Sequence, residues 1–253
     1  MSRVWTPIDP VDPRMAIRFT NLSLPVDDER PVASNRSCHN RPMTTEATIE
    51  SRLILDDASV RRFAKSFGTP LYVIDESHLR ARARAYRAAF KKAYEASEVS
   101  FASKANSTLA VLAVLHQEGC TIDAASEGEL RAALLAGVPA SSIHLHGNAK
   151  SRQEIEFAVR SGVAQIVVDN FAEIDLLSEF SAQCPPLLLR LAPGVDPKTH
   201  AKISTGQADT KFGFNISDGS AEKALLLSIG AGLDVAGFHC HVGSPRLDPS
   251  AQI

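Results

Sequence analysis

The sequence predicts an α/β fold: an incomplete (β/α)8 barrel with about six of its eight strands present. Three observations carry this. Apolar, strand-like runs begin near Val99, Cys120, Ile143, Gln165 and Leu187, about 22 residues apart, with a helical segment between each pair. Helix starts are signalled by capping pairs: Ser126 with Glu129, Ser151 with Glu154 and, more weakly, Asn170 with Glu173. Each strand closes on a group able to do chemistry: Lys104, Asp123, His146, Asp169 and Arg190, then His241 after a sixth run from Val235. Alternating strands and helices mean a parallel sheet. A barrel gathers all its strand ends round one mouth, whereas an open sheet gathers only those near its switch point. Six polar strand ends favour the barrel. No Gly-x-Gly-x-x-Gly follows the first strand, which argues against a dinucleotide fold.

The elements follow in order. Residues 1–43 read as a disordered leader, rich in proline (Pro7, Pro10, Pro13, Pro25, Pro31, Pro42) and arginine and without apolar periodicity. A secretory signal would need an apolar core, and a transit peptide would avoid Asp9, Asp12, Asp27, Asp28 and Glu29. Residues 44–76 read as an entry segment: an amphipathic helix from Asp57 to Phe67, stopped by Gly68, then a strand over Pro70–Ile74. The barrel portion is 77–253. It opens with a helix from Leu79 to Tyr94 that carries arginines and lysines on its wet face. After the first strand, Ser107 is a candidate cap for a helix whose apolar face is Leu109, Leu112 and Ala113, stopped by Gly119. The next helix faces are Leu130, Ala133 and Leu134, then Ile155, Ala158 and Val159, with Gly137 and Gly162 as stops.

Composition excludes several classes of function. The 253 residues are 44% hydrophobic and 22% charged, with formal net charge −2. That balance gives no electrostatic footprint for nucleic acid. No run approaches the roughly 18 apolar residues that span a bilayer. The cysteines Cys38, Cys120, Cys184 and Cys240 are scattered, without metal spacing, so a reducing cytoplasm is expected.

Lys104 stands at the strand-to-helix turn Phe101-Ala102-Ser103-Lys104-Ala105-Asn106, where barrels place their chemistry. An amine there can form a Schiff base with a carbonyl or with pyridoxal phosphate. Further on come Asp123-Ala124-Ala125-Ser126-Glu127-Gly128-Glu129-Leu130, His146-Gly147-Asn148-Ala149-Lys150-Ser151, Arg190-Leu191-Ala192-Pro193-Gly194, and His239-Cys240-His241-Val242-Gly243-Ser244. By residue type alone, Ser126 and Glu129 serve equally well as pure capping, and Lys150 reads as a surface charge. His239 and His241, two apart on a strand, share a face. One carboxylate-poor strand is weak evidence for a metal, and none is expected.

In this order the motifs resemble those of the fold-type III pyridoxal-phosphate decarboxylases, the diaminopimelate, ornithine and arginine decarboxylase group. The likeness runs from about Gly68 to Ser244. The phrase Gly68-Thr69-Pro70-Leu71-Tyr72-Val73 resembles the family's entry segment, and His200, Ser204-Thr205-Gly206 and Lys211-Phe212-Gly213 resemble the diaminopimelate branch. Ala149 and Ala192 depart from the family pattern, which has asparagine at both places.

The resemblance implies a barrel of the alanine racemase-like type with a separate C-terminal β domain. It implies pyridoxal 5'-phosphate as cofactor and Lys104 as the Schiff-base lysine. His241 would stack on the cofactor ring, Arg190 would lie beneath it, Ser244 would bind the phosphate, and Asp123 and His146 would belong to the same site. His239 would be structural. The implied reaction of the intact enzyme is decarboxylation of meso-diaminopimelate to L-lysine and carbon dioxide in a cytoplasmic homodimer. An ornithine- or arginine-type decarboxylase and a non-catalytic cofactor-binding barrel are the alternatives. The chain from Val99 onward is much shorter than the about 250 residues of a typical barrel. Counterparts of strands seven and eight, the β domain, a Gly-Gly-Gly phosphate loop and a Glu-Pro-Gly-Arg motif are not found. The sequence is therefore expected to be the front part of such an enzyme, with doubtful activity of its own.

Overall fold

The computed structural model describes residues 56–193 and 212–241. The chain divides into two compact units, Met1–Ala89 and Phe90–Ile253.

In the first unit, helix α1 spans Asp57–Phe67. It starts because Asp56 accepts the Ser59 backbone N–H at 2.8 Å, and it ends where Gly68 takes a positive φ of 79°. Helix α2, Glu76–Ala93, is started in the same way, with the Asp75 carboxylate accepting the N–H groups of Ser77 and His78. Between the helices, residues 71–75 have no regular secondary structure, so the strand expected over Pro70–Ile74 is corrected. A strand exists through its hydrogen-bonded ladder, and no strand among the described residues pairs with this segment.

The second unit is a parallel sheet alternating with helices. Its strands are β1 (Ser100–Ala102), β2 (Thr121–Ala124), β3 (Ile143–Leu145), β4 (Gln165–Val168), β5 (Leu187–Ala192), β6 (Phe214–Asn215) and β7 (Val235–Cys240). The helices are α3 (Leu109–Gln117), α4 (Glu127–Leu135), α5 (Arg152–Ser161), α6 (Phe171–Ser178) and α7 (Ser220–Gly230). β1 to β5 pair in sequence order, and β7 lies on the far edge of β5. These are the six expected strands, in the order a barrel wall requires.

β6 was not anticipated. Leu191 pairs with Phe214 of β6 and with Cys240 of β7, so these two strands flank β5 on opposite edges. β6 therefore extends the wall beyond the end of β4. Two residues are too short to show a period, so β6 left no signal in the sequence.

Alternation fixes which side chains face which way. Ile122 and Ala124 of β2, Ile143 and Leu145 of β3, and Leu187 and Leu189 of β5 are buried. They pack in one core cluster with Leu112, Leu130, Ile155 and Leu177 from the helices. Each such side chain contributes about 1.5–3 kcal/mol by leaving water. The residues that alternate with them, Asp123, His144 and, after Leu189, Arg190, take the opposite face. The pairing Arg190↔His239 sets β7 in register, so His239 shares that face with Arg190.

Local chemistry differs from expectation at two helix starts, those of α3 and α4, and agrees at α5. Thr108, not Ser107, is the cap position of α3, and Asn106 Oδ1 accepts the Thr108 N–H at 3.0 Å. The buried face of α3 is Val111, Leu112, Val114 and Leu115, while Leu109 is exposed. Ser151 and Glu154 form the full reciprocal capping box. At α4, Ser126 accepts the Glu129 N–H, but the Glu129 carboxylate turns elsewhere. Among the described residues, no helix is long and apolar enough to cross a membrane.

Candidate active site

The turn bearing Lys104 is a single 3₁₀ turn, Ser103–Ala105, directly after β1. It is held from beneath. The buried Ser103 hydroxyl reaches both the Asp123 carbonyl at 2.8 Å and the Glu129 carboxylate at 2.6 Å. Glu129 also accepts the Ala125 N–H at 2.9 Å. Glu129 thus ties the β1 turn to the β2 turn, which is why it does not complete the cap of α4. Ser103 points into the protein and the neighbouring Lys104 is left exposed at the strand ends.

Asp123 stands in β2 with its carboxylate bonded by the Ser100 hydroxyl. His144 Nδ1 lies 3.3 Å and His146 Nε2 3.4 Å from the same carboxylate oxygen. Burial by itself would raise the Asp123 pKa; the two imidazoles and Ser100 outweigh it and hold the group well below the usual carboxylate range. His146 follows β3 and donates its backbone N–H to Ala124 O at 2.7 Å. Its ring meets the His239 ring edge-on, centroids 5.1 Å apart.

Arg190 of β5 pairs with Asp169 Oδ1 at 3.0 Å. Its guanidinium lies over the Phe212 ring, 4.6 Å from the centroid. Gly213 closes this corner. Its φ is 72°, and a Cβ there would lie 2.6 Å from the Arg190 carbonyl oxygen. Only glycine fits such an approach. Burial raises the Asp169 pKa, while the Arg190 cation and the Gly213 N–H oppose that rise.

Behind this corner, Lys150 and Glu173 form an ion pair at 2.7 Å, with side chains only 3% and 2% exposed. Lys150 is therefore not the surface charge its sequence context suggested. Glu173 also accepts the backbone N–H groups of Lys150 and Asp169 and the Asn170 side-chain amide. Lys150 Nζ donates back to Gly147 O at 2.8 Å. One carboxylate thus locks the turns after β3 and β4 together. Ala149 is exposed, and the turn is held by its neighbour Lys150 rather than by the residue missing relative to the family motif.

His239 and His241 complete the mouth. Burial, then the neighbouring His146 ring and the Arg190 guanidinium, push the His239 pKa down to about 4. Burial, Arg190 and Lys104 lower that of His241. Lys104 is thus close enough to His241 to act on it electrostatically. The predicted residues Lys104, Asp123, His146, Arg190 and His241 all lie at the C-terminal ends of the strands. Ser244, and the motif residues His200, Ser204, Thr205, Gly206 and Lys211, lie outside the described residues. Sequence reasoning missed Glu173 as a clasp. Its capping spacing was visible, but its link to Lys150 spans two loops.

The donor set suits pyridoxal phosphate. An exposed amine stands in a mouth where the Lys104 and Arg190 cations suit an anionic guest and the neutral His239 and His241 rings suit a flat one. Asp123 gives that mouth a carboxylate held ionised.

Residues 76–252 match the family model described as the pyridoxal-binding domain of pyridoxal-dependent decarboxylases. The diaminopimelate decarboxylase of Bacillus methanolicus is 41% identical over 209 residues, covering 81% of this chain and 48% of that protein. That of Bacillus subtilis is 42% identical over 189 residues, covering 73% and 43%. A crystal structure of diaminopimelate decarboxylase from Methanocaldococcus jannaschii in complex with L-lysine superposes with a TM-score of 0.69 at 36% identity, covering 76% of this chain and 46% of that one. The chain spans about half the length of the curated relatives it matches. With the parallel sheet, the strand-end site and these matches in agreement, the chain belongs to the pyridoxal-dependent decarboxylases, whose pyridoxal-binding domain it carries.

Proposed function

We propose that the intact enzyme to which this pyridoxal-binding domain belongs decarboxylates meso-diaminopimelate to L-lysine and carbon dioxide. The convergence of Lys104, Asp123, His146, Arg190 and His241 at one set of strand ends carries this reading. Bound pyridoxal phosphate supplies the electron sink for loss of the carboxylate. Lys104 would hold the cofactor through its side-chain amine and would be free to move away from it when substrate binds. Its exposed turn gives it freedom to do both, while Ser103 and Glu129 keep the turn fixed. His241 offers a ring that its surroundings favour in the neutral form, suited to stacking on the cofactor. Arg190, clamped by Asp169 and Phe212, sets a rigid cationic floor. By the family resemblance, Ser244 would bind the phosphate.

The preference for diaminopimelate over ornithine or arginine rests on the relatives' 41–42% identity. The proposal extends to a cytoplasmic homodimer: the scattered cysteines suit a reducing compartment, and the dimer is the state the family resemblance implies.

The test treats the protein with pyridoxal phosphate, reduces it with borohydride and maps the labelled peptide, alongside an amino-acid panel with carbon dioxide detection. Label on Lys104 is expected in this chain, and turnover of diaminopimelate alone in the intact enzyme. Label spread evenly over surface lysines would refute the Lys104 assignment. Turnover of ornithine or arginine instead would refute the substrate.

A further inference from the structure

Two strands carry a second constellation at the same mouth. Asp123 of β2 and His144 of β3 are cross-strand partners in the ladder, and His146 is two residues beyond His144. One donor atom from each of the three lies within 4.8 Å of the others. Asp123 Oδ1 stands 3.3 Å from His144 Nδ1 and 3.4 Å from His146 Nε2. These gaps exceed the about 2.7–3.2 Å of a well-formed N–H···O bond. They match the edge of a tetrahedral zinc site, where ligands about 2.1 Å from the ion stand about 3.4 Å from one another.

The outer contacts agree. Glu98 Oε1 accepts the Thr121 hydroxyl at 2.9 Å and faces His144 Nε2 at 3.6 Å. Asp123 at Nδ1 and Glu98 at Nε2 bracket the His144 ring, and a divalent cation would take the proton's place between Nδ1 and Asp123 Oδ1 while Glu98 accepts the Nε2 proton from behind. A carboxylate behind a ligating histidine is the usual outer shell of such sites.

We propose that Asp123, His144 and His146 form a three-ligand site for a divalent transition-metal ion of the zinc type, with Glu98 as the positioning carboxylate behind His144. The fourth position stays open. The site shares Asp123 and His146 with the proposed cofactor pocket, so it is tested on cofactor-free protein, where binding does not depend on the decarboxylase reading.

The full chain, stripped with chelator, is titrated with zinc and separately with cobalt, and bound metal per chain is measured. One ion per chain is expected. His144→Gln should weaken binding at least tenfold with an unchanged far-ultraviolet circular dichroism spectrum, and Glu98→Gln, at an exposed position, by about tenfold. Glu98→Gln carries the test if His144→Gln does not fold. Absence of binding would overturn the proposal, as would binding that both variants leave unchanged. So would thiolate charge-transfer absorption from bound cobalt, because it would assign the ion to a cysteine.

Discussion

Lys150 Nζ lies 2.7 Å from Glu173 Oε2, and the pair is sealed from solvent behind the turns after β3 and β4. Removing one partner leaves an uncompensated buried charge, which costs about 3–5 kcal/mol. Lys150→Met should therefore lower unfolding stability by about that much in denaturant titrations. Glu173→Leu should cost at least as much, because Glu173 also accepts two backbone N–H groups and the Asn170 amide. A Glu173→Leu protein as stable as the parent would contradict the clasp.

Gly213→Ala should disturb Arg190 directly. The added Cβ would meet the Arg190 carbonyl at 2.6 Å, in a backbone conformation with φ of 72°. A loss of about 1–3 kcal/mol in stability is expected. Retention of pyridoxal phosphate should fall with it, read from cofactor absorbance after gel filtration. Gly219→Ala is the control: it shares the positive φ, but nothing lies within 4 Å of its added Cβ. Equal losses in the two variants would show that backbone strain, not the approach to Arg190, is responsible.

The half-buried His239 should make the fold sensitive to acid. Its pKa falls from 6.5 to about 4 on folding, so between those values the unfolded chain binds the proton that the folded chain refuses. Stability is full above about pH 6.5 and declines as the pH drops towards 4. Denaturant midpoints at pH 7 and pH 5 should differ by more in the parent than in His239→Gln. An identical difference in both would assign the acid sensitivity to other groups.

His241→Ala should release pyridoxal phosphate more readily than His239→Ala. The two share a face, but His239 sits within β7 against His146, whereas His241 follows the strand and feels Lys104. Cofactor dissociation measured for both variants checks this. An equal or reversed effect would mean that His239 is the residue facing the cofactor.

Much of the site was legible because strand ends are local. A polar residue closing an apolar run is visible without partners, and Lys104, Asp123, His146, Asp169, Arg190 and His241 were all marked in that way. Ser151 and Glu154 lie within one helical turn, so their capping box was readable too. The family motifs added the cofactor.

Tertiary structure decided the rest, where a side chain chooses between a near partner and a distant one. Glu129 has capping spacing, yet its carboxylate leaves the cap for Ser103, 26 residues away. Lys150 looks like a surface charge until Glu173, 23 residues on, buries it. Pro70–Ile74 has strand composition, but composition supplies no ladder. Asp123 and His144 meet only because β2 and β3 pair in one register, and a shift of one residue would turn His144 away. The sequence by itself determined the order of strands and helices and the residues at the strand ends, because periodicity and capping act over a few residues. Which of those residues touch, and which charges are buried, depends on strand register and loop approach, which no local pattern encodes.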